Sequence, residues 1–101
     1  MNQANQKYEK YLPIGSVVLL KGATKKVMIS GIAIKSESDE QNRIFDYVGC
    51  LYPEGVITSN ENIVFNHDKI DRIIAIGYSD DEEKRFKQVL IEKLANISDK
   101  Q

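Results

Sequence analysis

The chain is 101 residues long, 42% hydrophobic and 29% charged, with a formal net charge of −1 at neutral pH. These values describe one soluble globular domain with a single core, and no apolar run approaches the roughly 20 residues that a transmembrane helix requires. The single cysteine, Cys50, excludes an internal disulfide and leaves no cysteine zinc set.

The charge is uneven. Residues 1–35 carry six lysines against Glu9, a net of +5, whereas residues 36–101 carry eight basic and fourteen acidic groups, a net of −6. Two oppositely charged halves folded together neutralise one another, so the basic half is not a nucleic-acid footprint. The polar start, Met1 to Lys7, lacks the apolar core of a signal peptide, and a cytoplasmic protein is expected.

Residues 1–10 have no periodicity and are expected to form a flexible N-terminus ahead of a single α+β domain over 11–97, with 98–101 a flexible C-terminus. Tyr11-Leu12-Pro13-Ile14-Gly15 is a constrained elbow leading into an apolar strand, Ser16 to Leu20, expected to be covered on both faces with Val17 and Leu19 deeply buried. Lys21 to Lys25 reads as a hairpin turn into a second strand, Lys26 to Ile34, in which Gly31 marks a bulge or a close backbone approach. Residues 35–43 contain no apolar side chain and read as a mobile loop.

Ile44 to Tyr52 is a third strand and Pro53-Glu54-Gly55 a turn, after which Val56 and Ile57 are expected to pack back on the domain. A short fourth strand, Asn62 to Phe65, is followed by one helical or 3-10 turn at Asn66 to Lys69. Ile70 to Tyr78 is ambiguous between periods, but its β-branched density favours a fifth strand. Ser79 followed by three acids is a capping-box signature for a C-terminal amphipathic helix. Its stripe is Phe86, Val89, Leu90 and Leu94, with Ile97 beyond. Phe86 and Leu90 are expected to face the sheet, and Leu94 and Ile97 a partner protein.

No reactive constellation emerges. His67 could serve as a general base oriented by Asp68 or Asp71, but neighbours on a turn rarely point together and no nucleophile elbow is present; a polar turn residue is the simpler reading. Cys50 lies between Gly49 and Leu51 with no cation to depress its pKa and reads as a small core residue. Gly22 to Lys26 lacks the ending of a phosphate loop, and the acids at 80–83 lack the spacing and glycine of a calcium loop. No catalytic residue, metal site or cofactor is therefore expected. Tyr47, Tyr52, Phe65 and Tyr78 lie in strands or at their ends, and the acidic residues around them favour a protein partner over nucleic acid.

The run Tyr11 to Gly22, with Lys25-Lys26-Val27-Met28-Ile29, Phe45-Asp46-Tyr47-Val48-Gly49, Tyr52-Pro53-Glu54-Gly55, Phe65-Asn66-His67 and Ile76-Gly77-Tyr78, resembles the small bacterial family named domain of unknown function 4176. Members of that family occur among type VII secretion genes of Gram-positive bacteria, near LXG-type toxins and small helical partner proteins. The resemblance implies no catalytic residues. It implies a non-enzymatic accessory or targeting factor that binds a type VII effector, or its helical partners, in the cytoplasm. The alternative is a cytosolic immunity protein neutralising a toxin domain. The expected architecture is a small bent, mainly antiparallel sheet of about five strands, with an SH3-like barrel as one form of it, carrying the helix. The expected partner-binding residues are Tyr47, Tyr52, Tyr78, Leu94 and Ile97.

Overall fold

The computed structural model describes residues 10–35, 40–41, 43–58 and 62–99, with backbone alone for 97–99. Strands β1 (Val17–Leu20), β2 (Val27–Lys35), β3 (Ile44–Leu51) and β4 (Ile63–Phe65) are followed by a 3-10 turn, His67–Lys69, strand β5 (Ile70–Ala75) and helix α1 (Asp81–Asp99). The five strands form one antiparallel sheet in the order β4-β3-β2-β1-β5, so the fold is α+β as expected. The central residues of the 35–43 loop, like the two chain ends at 1–9 and 100–101, lie outside the described residues. The helix continues to Asp99, two residues past the expected domain end.

The sheet is open, which corrects the SH3-like barrel. Closure would need β4 to pair with β5, and these are the two edges. β4 is only three residues long. β5 steps out of register with β1 twice, leaving Ile74 and Asp71 as extra residues that kink its backbone. The sheet is nevertheless strongly bent. Four spacings of a flat five-stranded sheet cover about 19 Å. The link from Phe65 to Ile70 contains a 3-10 turn, which advances only about 2 Å per residue. Such a link joins one edge to the other only if the sheet curls them together.

A further bulge sits at the expected place. The β2–β3 register moves from Ile29↔Gly49 to Gly31↔Val48, which makes Ser30 the extra residue. Beyond it the faces exchange, so that Ile32, paired with the buried Tyr47, turns toward the core. The concave face gathers Val18, Val27, Ile29, Tyr47, Phe65 and Ile70, closed by Tyr11 and Leu12 of the elbow.

The opening strand is central, but with the opposite face inward. Ser16 and Val18 are fully buried, and Val17 and Leu19 are only half-buried. The side-chain period is two, so placing Ser16 inward forces Val18 inward and turns Val17 and Leu19 to the other face. Ser16 is tolerated there because its Oγ accepts a hydrogen bond from the Gly77 N–H at 2.9 Å. At that crossing a Cβ on Gly77 would collide with the Ile14 carbonyl, which is why the chain beyond β5 can lie against the elbow only with glycine at 77.

The helix begins one residue later than its signature suggests. Asp80, and not Ser79, accepts the Glu83 N–H at 2.9 Å, while the Ser79 hydroxyl donates to the Glu83 carboxylate at 2.7 Å. Two apolar residues, Leu90 and Leu94, pack on the core, and the Lys87 ammonium donates to the Tyr11 carbonyl at 3.1 Å. Phe86 remains 56% exposed. The expected division of the stripe is thereby corrected: Leu94 faces the sheet and Phe86 does not, because the buried line runs through positions 83, 87, 90 and 94.

Candidate functional site

The elbow, β3 and the 3-10 turn meet at the Tyr47 hydroxyl. Tyr47 is fully buried, with its ring 5.3 Å from Phe65, 5.9 Å from His67 and 6.3 Å from Tyr11 between centroids. Its oxygen accepts the Leu12 N–H at 3.1 Å and lies 2.7 Å from His67 Nδ1. A buried hydroxyl proton needs an acceptor, and the Leu12 donor already takes one of its lone pairs. The consistent arrangement has Tyr47 donating to Nδ1, which fixes the neutral imidazole with its proton on Nε2.

A second set of bonds locks the same turn. The His67 N–H donates to Asp46 Oδ2 at 2.8 Å, and the Asp46 N–H donates to Asn66 Oδ1 at 3.0 Å. Lys10 stands 3.5 Å from the other Asp46 oxygen. The reciprocity follows from strand register, because pairing Tyr47 with Phe65 brings Asp46 opposite Asn66. Lys10, Asp46, Asn66, His67 and Asp68 line an open cleft of about 430 Å³.

Burial, reinforced by the neighbouring Asp46 carboxylate, pushes the Tyr47 phenol well above its ordinary range despite the opposing Leu12 hydrogen bond. Tyr11 is raised for the same two reasons. Tyr47 therefore stays protonated and acts as a fixed donor. The cleft offers imidazole, carboxylate and ammonium groups but no hydroxyl or thiol nucleophile among its lining residues. Its visible role is to clamp the elbow to the β3–β4 hairpin. No group of three or more potential metal ligands occurs among the described residues.

The five expected partner-binding residues do not form one site. Tyr47 is corrected outright, since a fully buried ring presents nothing to a partner. Tyr52 and Tyr78 are exposed, at 41% and 79%. They follow β3 and β5, and three antiparallel steps between those strands put them at opposite ends of the sheet. Leu94 is half-buried on the core, and the side chain of Ile97 lies outside the described residues.

Other exposed apolar residues lie beside the expected ones. Leu51 and Tyr52 are joined by Val56 and Ile57, which are 59% and 71% exposed instead of packing back on the domain. Their rim is polar: Lys25 bonds Glu54 at 2.8 Å, and the Lys26 ammonium lies 5.8 Å from the Tyr52 ring centroid. Cys50, next to this patch, is buried as expected. The Asp46–Asn66–His67 lock was not anticipated, although a correct β3–β4 register read from Phe45-Asp46-Tyr47 and Phe65-Asn66-His67 would have paired those residues.

The family model described as Domain of unknown function (DUF4176) matches residues 11–86. That span starts at the buried Tyr11 of the elbow and takes in the clamp, the whole sheet and the first turns of the helix. No curated protein and no solved structure matches the chain. With every strand and the Tyr47 clamp inside the matched span, the chain belongs to the DUF4176 family.

Proposed function

We propose that this protein is a non-enzymatic binding module, acting in the cytoplasm as an accessory or targeting factor for a type VII secretion effector of the LXG class. The observation that carries the binding reading is the apolar hairpin end, where Leu51, Tyr52, Val56 and Ile57 are all exposed within seven residues. Exposed apolar area costs about 25 cal/mol per Å², and a group of large side chains of this kind, framed by Lys25, Lys26 and Glu54, has the make-up of an interface centre with a polar rim. An amphipathic helix of the effector, or of a small helical partner, is the matching ligand, since its apolar face would cover these residues and its polar face remain in water. The type VII context rests on the resemblance of the motifs to that family.

The test has two arms. In a pull-down from the native host, the wild-type chain should retain an LXG effector or its helical partner, and Ile57→Asp should lose it with unchanged circular dichroism. In a strain deleted for this gene, effector export should fall while resistance to the toxin stays intact. Intact export with lost resistance would replace this reading by the immunity protein, and retention of the effector by Ile57→Asp would move the contact away from the hairpin.

A further inference from the structure

Helix α1 carries two seams of identical spacing, one residue apart. The inner seam is Glu83, Lys87, Leu90 and Leu94, all half-buried. Its polar members are satisfied within the fold: Glu83 by the Ser79 hydroxyl and the Glu83 N–H cap at Asp80, Lys87 by the Tyr11 carbonyl and by Glu83 at 3.6 Å. The outer seam is Glu82, Phe86, Val89 and Lys93, turned by about 100° from the inner one. All four are exposed, Phe86 at 56% and Val89 at 45%. The side chains of Glu82 and Lys93 make no hydrogen bond or ion pair among the described residues.

The order along the outer seam is acidic, apolar, apolar, basic. Read from the other end, the charges are exchanged and the apolar pair is unchanged, so the seam is complementary to itself when two helices run antiparallel. A twofold axis passing between Lys87 and Gln88 sets Phe86 against Val89 of the second copy and Glu82 against its Lys93. The steps of four, three and four residues are those of a helix–helix seam, and the four residues extend over about 17 Å of helix. A parallel pairing would instead set each charge against its own like.

We propose that the outer seam of α1 is the self-association surface of this protein, forming a twofold antiparallel helix pair with a second copy of the chain. The contact is isologous, as a twofold interface must be. It is confined to one helix face and falls below the roughly 1,200–2,000 Å² of standard interfaces, so the dimer is weak and concentration-dependent. The exposed hairpin residues Tyr52 and Ile57 are not part of this seam, and the inference does not depend on what binds there.

Sedimentation velocity on the full chain, from micromolar to about 0.5 mM, should show the mass rising from the 11.5 kDa monomer toward twice that value. Phe86→Asp should remain monomeric throughout with its helical circular dichroism intact, because Phe86 is not a core residue. Glu82→Lys and Lys93→Glu should each weaken the dimer about tenfold by turning two attractive contacts per dimer into repulsive ones. The double reversal should return to within about threefold of the wild type, because Lys at 82 then faces Glu at 93 of the other copy. A monomer at the highest concentration, single reversals without effect, or a double reversal as weak as the single ones would each overturn the antiparallel seam.

Discussion

Tyr47 concentrates several functions in one oxygen: it satisfies the buried Leu12 N–H, fixes the His67 tautomer and ties the elbow to the hairpin. Tyr47→Phe keeps the ring packing and strands the Leu12 N–H, so it should cost about 1–3 kcal/mol in a urea titration. The raised pKa of this phenol also makes stability depend on alkaline pH. Up to the ordinary tyrosine value near 10 both folded and unfolded chains hold the proton; above it the unfolded chain releases the proton and the folded chain does not. Stability should therefore fall as pH rises above about 10, by about 1.4 kcal/mol per pH unit for each such proton. Tyr11 contributes in the same direction. Tyr47→Phe should remove one proton's worth of that slope, and denaturation midpoints collected between pH 9 and 11.5 would measure it.

Among the elements, β1 and β2 hold the core through alternate residues. Ile29 is fully buried and Leu19 half-buried, so Ile29→Ala should cost about 2–5 kcal/mol and Leu19→Ala clearly less in the same titration. Equal losses would mean that both faces of the sheet are covered alike. The β2–β3 pair, which joins the two halves of the sheet, depends on Gly49: an added Cβ would stand 2.5 Å from the Met28 carbonyl oxygen and 2.7 Å from a Val27 methyl carbon. The oxygen belongs to the backbone and cannot rotate away. Gly49→Ala should cost about 1–3 kcal/mol, with faster amide exchange along β2 and β3 as its signature. Both edges are defended against adding a foreign strand, β4 by its three-residue length and β5 by two bulges. Exposed apolar residues beyond β5, Ile76 and Tyr78 among them, are therefore set past its last ladder pair and not along a flat edge.

For the molecule as a whole, the attachment of the helix matters, since most helical stability in proteins comes from packing of an amphipathic face. Its hold on the core includes Leu90, Leu94 and the Lys87 bond to Tyr11 of the elbow. Leu90→Asp sets an unpaired charge against the core and should release or unfold α1, while Val89→Asp, one residue away on the exposed side, should leave the fold intact. Circular dichroism melts of the two variants give the comparison, and a collapse of the Val89→Asp protein would place the buried line elsewhere. The net +5 of residues 1–35 and −6 of the remainder meet in contacts such as Lys10 with Asp46 and Lys25 with Glu54. Exposed pairs of this kind contribute little stability singly, but they account for a balanced surface built from two unbalanced segments.

The sequence by itself determined the element list: five strands, a helical or 3-10 turn at His67, a bulge or close approach beside Gly31 and a capped amphipathic helix. Those features are written in local period, turn chemistry and caps, which a few adjacent residues express without help from the rest of the chain. Tertiary structure decided which face of each element turns inward. Val17 against Val18 and Phe86 against Leu94 could not be separated locally, because both alternatives are apolar and a one-residue rotation exchanges them. It also decided that β4 and β5 do not pair with each other, and that Tyr47, Asp46, Asn66 and His67 lock together across the hairpin. Those outcomes depend on register between segments about 20 residues apart, and register is fixed only when all five strands and the elbow close over the same core.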